Sequence, residues 1–283
     1  IKNSNRLRLQ KRIIVTIRRY FMNNKMDISV TILGSGTCVP SLRRSSCSVL
    51  METGGRKLLF DCGAGTMRRL LEIGTKIFDI SFIFFSHLHP DHTGELGPFL
   101  FATKYPDIER LQKTLTIVAG KGFAGFYNRL KNVYGEWIEL KPGVLNIVEM
   151  DNSGKDSIEF GDFTVESIPV EHTDESLAYR INSSDGKSVV YSGDTDFSDN
   201  LVALAKNADL LICESALPDE LKVSGHLTPS LAGEIATQAN VRKLALIHFY
   251  PECDQVNIEK QCRKTWAGPL VLAEDLMKIT IDA

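Results

Sequence analysis

The sequence predicts an α/β domain built as a four-layer αββα sandwich, in which two mixed β-sheets pack together and helices cover their outer faces. Ile80–Phe85 is wholly apolar, as expected for a strand buried on both faces. Residues 137–192 alternate and carry turn signals, which favours consecutive antiparallel strands. Helical patterns return at 198–206, 228–239 and 256–265. Because strand-rich and helix-bearing stretches occur in both halves, two packed sheets account for the pattern.

The earlier elements follow in order along the chain. Ile28–Leu33 is a predicted strand that ends in a glycine-rich turn, and Gly54-Gly55 joins two further strands, Cys47–Glu52 and Lys57–Phe60. The other predicted elements are helices over Thr66–Ile73, after His92 and over residues 123–132, and strands over Thr114–Ala119, Phe163–Val170, Ser188–Tyr191, Asp209–Cys213 and Lys243–Ile247.

The length of 283 residues suits one large domain with a sizeable core. No apolar run approaches the roughly 20 residues of a membrane span, so we expect no membrane partner. No short repeat or linker divides the chain after its N-terminal segment. We therefore predict a single domain over residues 26–283.

Residues 1–25 form a basic N-terminal extension, with eight Lys or Arg and no acidic residue. The rest of the chain then carries 25 basic against 35 acidic residues. Two interpretations stay open: a disordered arm that binds RNA or a membrane surface, or upstream sequence that is not native and precedes a natural start at Met26. The short apolar stretch Ile13–Ile17, without a cleavage site, does not fit a signal peptide.

The six cysteines show no paired spacing that would indicate a disulfide framework or a zinc ribbon. They fit buried free thiols in a reducing compartment, and we expect the protein to be cytoplasmic.

The segment after the strand Ile80–Phe85 concentrates metal-binding side chains. Alternate residues of an extended segment share a face, so His87 and His89 can point the same way. Asp91 and His92 follow where the chain turns into a helix, and they can aim at a neighbouring point. Imidazole and carboxylate ligands suit zinc, so the segment predicts two ligands for each of two cations.

The remaining candidates also lie beside predicted strands or turns. His172 follows Phe163–Val170, and His248 ends the strand Lys243–Ile247. Asp61 and Asp194 follow strands in the same manner, while His226 precedes a predicted helix. Ligands at strand ends around one rim of a sandwich form a rigid site.

The pattern Asp61, His87-x-His89-x-Asp91-His92, His172, Asp194 and His248 resembles the metallo-β-lactamase superfamily of hydrolases. Within it the chain is most similar to the ribonuclease Z branch. Three further segments carry that similarity: Leu33-Gly34-Ser35-Gly36-Thr37 with Pro40 and Arg44, Glu171-His172 with Tyr179-Arg180, and Gly225-His226-Leu227-Thr228 with Ile247-His248-Phe249. The resemblance covers roughly residues 28–250.

The resemblance implies two Zn²⁺ per chain, with manganese and iron as alternatives. It implies one ion held by His87, His89 and His172, a second held by Asp91, His92 and His248, and Asp194 as the bridge. Two cations that share a water lower its pKa enough to give a bridging hydroxide near neutral pH.

The predicted catalytic residues are Asp61, Asp91 and His226, and Asp91 belongs to the metal set as well. Asp61 is expected to orient a ligand or the water. A turn residue that closes its strand is the alternative. His226 is expected to donate a proton or stabilise charge on the leaving group, and a capping or packing role is its alternative. A phosphate-binding role for Gly34-Ser35-Gly36 or Arg44 stays open.

One departure from the ribonuclease Z branch bears on the substrate. Members that mature transfer RNA carry a long arm between the positions that match His172 and Asp194, and here those residues are only 22 apart. Two strands and a turn use up that distance, so we expect no arm. The excess of acidic over basic residues after residue 25 also disfavours strong binding to a polyphosphate backbone.

We therefore predict a metal-dependent phosphodiesterase for a small or medium substrate. RNA is a doubtful partner, and a homodimer is expected from the family. Four alternatives remain: an RNA-processing nuclease, an ester, lactone or thioester hydrolase, a diiron redox protein, and a metal-free binding protein. His89 argues against the diiron protein, because such proteins are expected to have an acid at this position. The complete ligand set argues against the metal-free binding protein.

Overall fold

The computed structural model describes residues 28–105 and 113–281, which form two seven-stranded mixed sheets with helices on the outside. This confirms the predicted four-layer sandwich. The basic extension over residues 1–25 lies outside the described residues. Within the described ranges, no helix is both long and apolar enough to cross a membrane.

The first sheet contains seven strands: β1 (Ser29–Gly34), β2 (Ser48–Thr53), β3 (Arg56–Phe60), β4 (Ile80–Phe84), β5 (Leu115–Gly120), β6 (Leu145–Met150) and β14 (Lys278–Thr280). Their order in the sheet is β14-β1-β2-β3-β4-β5-β6. Neighbours pair antiparallel from β14 to β3 and parallel from β3 to β6.

The second sheet also contains seven strands: β7 (Asp156–Glu159), β8 (Phe163–Pro169), β9 (Leu177–Ser183), β10 (Ser188–Tyr191), β11 (Leu210–Glu214), β12 (Leu244–Ile247) and β13 (Leu270–Leu272). Their order in the sheet is β13-β12-β11-β10-β9-β8-β7. Neighbours pair parallel from β13 to β10 and antiparallel from β10 to β7.

Strand direction decides where the functional side chains can meet. In the first sheet β3 and β4 are parallel, so their carboxyl ends lie at the same edge. In the second sheet β8 and β10 both run antiparallel to β9, and β10 is parallel to β11 and β12. Residues that follow β8, β10, β11 and β12 therefore emerge at one edge of that sheet.

Three apolar clusters separate the four layers. The first lies between the sheets and includes Phe60 and Phe84 from one and Tyr179 and Tyr191 from the other. The other two lie between each sheet and its helices. The helices are α1 (Thr66–Glu72), α2 (Pro90–Thr93), α3 (Leu96–Thr103), α4 (Phe123–Tyr134), α5 (Asp199–Ala205), α6 (Pro229–Gln238) and α7 (Ile258–Cys262), with 3₁₀ turns at Ile77–Asp79, Gly135–Ile138, Asp219–Leu221 and Pro251–Gln255.

Three features differ from the sequence prediction. Residues 137–192 are not all antiparallel, because β6 pairs parallel with β5 in the first sheet. The helix predicted over 256–265 is shorter, since Pro251–Gln255 forms a 3₁₀ turn before α7. The strands β13 and β14 were not predicted, because each has only three residues and depends on its neighbour in the sheet.

Arg44 ties the loop after β1 to the C-terminal part of the domain. Its guanidinium group donates to Ser35 Oγ at 2.7 Å, to the Ala273 carbonyl at 2.8 Å and to both carboxylate oxygens of Asp254 at 2.9 and 3.3 Å. It also lies 4.7 Å from the ring centroid of Phe249. These contacts occupy the guanidinium group and favour a structural role for Arg44 over phosphate binding.

We expect Arg44→Met to lower the free energy of unfolding by about 2–4 kcal/mol, because it leaves the buried acceptors of a charged donor unpaired. Arg43→Met is the matched control. Its side chain is 57% exposed, whereas that of Arg44 is 6% exposed, so its loss should be about 0–1 kcal/mol. Urea unfolding of both variants measures the difference, and equal losses would contradict the structural role.

Candidate metal centre

The structure brings all seven predicted metal ligands together where the carboxyl ends of the strands meet. Their donor atoms fall into two main groups within which the atoms lie within 4.8 Å of one another. The first group is His87, His89, His172 and Asp194, and the second is Asp91, His92 and His248.

In the first group, the segment after β4 meets the segment after β8. His172 Nε2 lies 3.2 Å from His89 Nδ1 and 3.9 Å from Asp194 Oδ2. His87 Nε2 lies 3.7 Å from the same carboxylate oxygen. His89 is exposed whereas His87 and Asp194 are buried, so the group opens to solvent on the His89 side.

In the second group, the start of α2 meets the end of β12. His92 Nε2 and His248 Nε2 lie 3.4 Å apart. Asp91 Oδ2 lies 3.8 Å from the His92 nitrogen and 3.6 Å from the His248 nitrogen. The three donors thus face a common point.

Asp194 joins the two groups. Its Oδ1 lies 3.3 Å from His92 Nε2, and its Oδ2 lies 3.3 Å from His248 Nε2 and 3.7 Å from His87 Nε2. One carboxylate therefore contacts donors of both groups, which is the position that the resemblance assigned to a bridging ligand.

The donor set fits metal ions on geometry and on hydrogen bonding. The separations of 3.2–3.9 Å between donor atoms bracket the edge of about 3.3–3.6 Å that a tetrahedron with zinc–ligand bonds of about 2.0–2.2 Å would have. His87 Nε2 is buried and lacks a hydrogen-bond partner, an expensive arrangement that a cation would resolve. His172 Nδ1 donates to the Gly225 carbonyl at 2.8 Å, which leaves Nε2 available to a metal ion.

The charges also favour bound cations. Burial and the His92 imidazole hold the pKa of His87 well below its usual value, so its ring stays neutral and able to ligate. Burial would raise the pKa of Asp194, but His248 and His92 hold that pKa well below its usual value. The buried carboxylate therefore stays ionised and requires positive charge around it.

Asp61 contacts the second donor group through His92. It follows β3 and is fully buried, and its carboxylate accepts hydrogen bonds from the Ser86 backbone and hydroxyl, each at 2.8 Å. It also pairs with His92 Nδ1 at 2.7 Å and accepts from Tyr191 Oη at 2.6 Å. The contact occupies His92 Nδ1 and leaves Nε2 facing the other donors of the second group.

The backbone is strained where the centre is built. Asp61 and His248 adopt positive φ angles of 56° and 64°, which non-glycine residues seldom do. Gly193, just before Asp194, has a φ of 59°, and a Cβ there would lie 2.5 Å from Ser86 Cβ. Tight turns after β3, β10 and β12 thus place their side chains at the centre.

His226 lies beside the two groups rather than within the main sets. Its Nδ1 pairs with Glu214 Oε1 at 2.9 Å and lies 3.9 Å from Asp194 Oδ2. Burial would lower the pKa of His226, but the hydrogen bond to Glu214 and the negative charges of Glu214 and Asp194 raise it to about 8. A third donor set, Asp194, His226 and His248, also converges, so the geometry allows a ligand role as well.

Glu214 is a functional candidate that the sequence prediction missed. It ends β11, is 1% exposed, and accepts backbone hydrogen bonds from Thr195, Ala216 and Leu227 as well as the contact with His226. An acid that ends an apolar strand, Leu210–Glu214, is the sequence signal that could have revealed it.

Tyr250 was also missed. Its ring centroid lies 6.5 Å from that of His226 and 6.3 Å from that of His248. Its hydroxyl lies 3.6 Å from the sulfur of Cys38, an exposed residue. The side chain therefore borders the centre on the side of the loop after β1.

Fold and site together define a two-sheet α/β protein with a candidate dinuclear metal centre at the strand ends. The chain belongs to the beta-lactamase superfamily, because the family model described as "Beta-lactamase superfamily domain" matches residues 56–249.

Relatives and solved structures narrow the similarity to the ribonuclease Z branch. The chain is 28% identical to the ribonuclease Z of Haloferax volcanii, over 90% of this chain and 96% of that protein. The human tRNase Z short form superposes with a TM-score of 0.72 at 27% identity, covering 90% of this chain and all of that one. YhfI from Bacillus subtilis, a metallo-beta-lactamase fold protein, has a TM-score of 0.77 at 23% identity and shares the fold over 90% of this chain and 99% of its own.

We expect Asp61→Asn to lower the free energy of unfolding by about 2–4 kcal/mol, because an amide nitrogen cannot accept the buried hydrogen bonds. It should also weaken metal affinity about 10–100-fold, the usual cost of losing a group that orients a ligand. Tyr191→Phe is the graded control, since it removes one donor and leaves the contact with His92 intact. Urea unfolding and zinc titration test both variants, and a metal affinity unchanged in Asp61→Asn would contradict the orienting role.

Proposed function

We propose that the protein is a dinuclear metal-dependent hydrolase of phosphodiester bonds, similar to ribonuclease Z. The observation that carries the proposal is the position of Asp194, whose carboxylate contacts donors of both groups. The His226–Glu214 pair adjoins the same carboxylate. A site that couples two cations with a neighbouring acid suits phosphodiester cleavage, in which both the attacking and the leaving oxygen need stabilisation.

In this proposal each chain binds two zinc ions. The mixture of imidazole and carboxylate donors supports zinc over magnesium or calcium, which prefer oxygen ligands. His87, His89 and His172 hold one ion, Asp91, His92 and His248 hold the other, and Asp194 lies between them. When bound, the ions act as Lewis acids and lower the pKa of water.

The chain's own residues orient the groups and move the proton. Glu214 holds His226 through Nδ1 at 2.9 Å, so Nε2 is the ring atom left to face a substrate. The hydrogen bond to the Glu214 carboxylate favours the protonated ring, so His226 can carry a proton. His226 then donates that proton to the leaving oxygen, and Glu214 is the positioning residue behind it.

The relatives support this substrate class but differ from this chain in length. The alignment with the Haloferax volcanii ribonuclease Z runs over 312 positions yet includes only 90% of this 283-residue chain, so that relative has segments that this chain lacks. Between His172 and Asp194 this chain has only the hairpin of β9 and β10 with its connecting turn. The long arm expected of transfer-RNA maturing members is therefore missing between these residues.

The thiols support a cytoplasmic location. All six cysteines are free, and five of them are buried. Buried thiols without disulfides fit a reducing compartment.

We expect about two zinc ions per chain and hydrolysis of bis(p-nitrophenyl) phosphate, because all seven proposed ligands converge. Asp194→Ala should lose at least one ion and reduce kcat by roughly 10³-fold or more, since it removes the carboxylate shared by both groups. Elemental analysis of protein purified without added metal and a chromogenic assay measure the two effects.

The control for that experiment is Asp185→Ala, which changes an exposed acid in the turn between β9 and β10. It should keep both ions and full turnover. A metal content below one ion per chain that added zinc does not raise would contradict the dinuclear proposal. Turnover of carboxylic esters or lactones without phosphodiester turnover would instead favour the ester hydrolase.

We expect His226→Ala to lower kcat by roughly 10²–10⁴-fold while both metal ions remain bound, the usual effect of losing a positioned acid. Glu214→Gln should act in the same direction with a smaller loss, because the ring remains. The loss should shrink for substrates with better leaving groups, which need less proton donation. Loss of an ion in His226→Ala would identify the ring as a ligand, and a lower melting temperature with normal kcat would identify a packing role.

RNA cleavage is the second candidate function, which the named relatives favour. We expect weak or no removal of the 3′ trailer from precursor transfer RNA, because the arm between His172 and Asp194 is missing. Gel analysis of a labelled precursor at physiological salt, with bis(p-nitrophenyl) phosphate as the positive control, decides the matter. Efficient and accurate trailer cleavage would contradict this expectation.

A further inference from the structure

A cleft of about 570 Å³ opens beside the metal centre, on the side of His172. Three segments form it: Glu171 and His172 after β8, the residues from Asp196 into the start of α5, and Gly225 in the loop that precedes His226.

The cleft shares residues with the metal centre. His172 lines it, while Nε2 of the same ring belongs to the first donor group. Gly225 lines it as well, and its carbonyl accepts the hydrogen bond from His172 Nδ1 at 2.8 Å. A substrate group in this cleft would therefore lie directly against a ring that the proposed function uses.

The cleft has a negative lining. Glu171 and Asp199 are exposed acids, and no lysine or arginine is among the lining residues. The third acid, Asp196, is already compensated, because Lys222 Nζ lies 2.8 Å from its carboxylate and the Gly225 backbone donates to it. The side chains of Glu171 and Asp199 therefore remain to interact with a ligand in the cleft.

Phe197 adds an aromatic residue to the same lining. Its side chain is half-buried and packs against the apolar cluster between the second sheet and its helices, which fixes the ring. The remaining surface of the residue lines the cleft. Carboxylates and an aromatic ring in the same cleft form a favourable setting for an organic cation, which can gain charge attraction and cation–π contact.

We propose that this cleft binds one ester group of the substrate and selects a group that carries a positive charge. The substrate class is then a phosphodiester of an alkylammonium alcohol. This inference rests on the proposed function, because it identifies which diester the same centre cleaves. The cleft would disfavour a polynucleotide, because each further phosphate placed there would meet the carboxylates of Glu171 and Asp199.

The test compares two chromogenic diesters of the same shape. One is p-nitrophenyl phosphocholine, and the other is 3,3-dimethylbutyl p-nitrophenyl phosphate, in which carbon replaces the charged nitrogen. We expect kcat/KM of the zinc-loaded protein to be about tenfold higher for the charged ester, mainly through KM. In the double variant Glu171→Gln, Asp199→Asn the preference should fall to about twofold or less.

A second pair of variants separates specific contacts from the general negative charge of the protein. The variant Glu139→Gln, Asp185→Asn removes two exposed acids that do not line the cleft, and it should keep the full preference. Phe197→Leu should reduce the preference about threefold, because it keeps an apolar surface but removes the ring.

The outcomes distinguish this inference from the proposed function. Equal kcat/KM for the two esters, or a preference unchanged in the Glu171→Gln, Asp199→Asn variant, overturns the cleft assignment, while the proposed function stands if bis(p-nitrophenyl) phosphate is still hydrolysed. If zinc-loaded protein hydrolyses none of the three diesters, the proposed function itself fails. A preference lost equally in the Glu139→Gln, Asp185→Asn variant also overturns the assignment.

Discussion

The arrangement of the site depends on one buried carboxylate. Asp194 lies between 3.3 and 3.9 Å from nitrogen atoms of five imidazole rings, and it is only 3% exposed. An ionised carboxylate in such a place is costly unless positive charge surrounds it. The directions of the strands, the tight turns at their ends and the orienting contacts of Asp61 all serve to assemble that surrounding shell. The fold can be understood as the scaffold that holds these groups at fixed distances.

Much of this could be predicted from the sequence because the relevant signals are local. The apolar run Ile80–Phe85 followed at once by His87 and His89 indicates both a buried strand and ligands at its end. The other ligands follow apolar strands in the same way, and strands of one direction deliver them to one edge. Predicting that these ligands converge requires only the rule that strands running in one direction end at the same edge of a sheet. The two-sheet architecture could be predicted from the alternation of strand-rich and helical stretches.

The features that could not be predicted depend on contacts between residues that are distant in sequence. Glu214 continues an apolar strand and has no neighbouring ligand, so only the approach of His226 across the site reveals its role. The three residues of β13 or β14 are too few to show a period, and a neighbouring strand decides their state. The parallel pairing of β6 depends on β5 and not on the alternation of β6 itself. The cleft beside His172 requires three separate segments to meet, and none of them signals this alone.

Each donor group takes its members from both sheets. His87 and His89 follow a strand of the first sheet, whereas His172 and Asp194 follow strands of the second. Asp91 and His92 likewise follow a strand of the first sheet, whereas His248 follows a strand of the second. An ion bound in either group would therefore crosslink the two sheets. Its binding energy would oppose their sliding or separation, so the same metal–ligand bonds would contribute to both stability and catalysis.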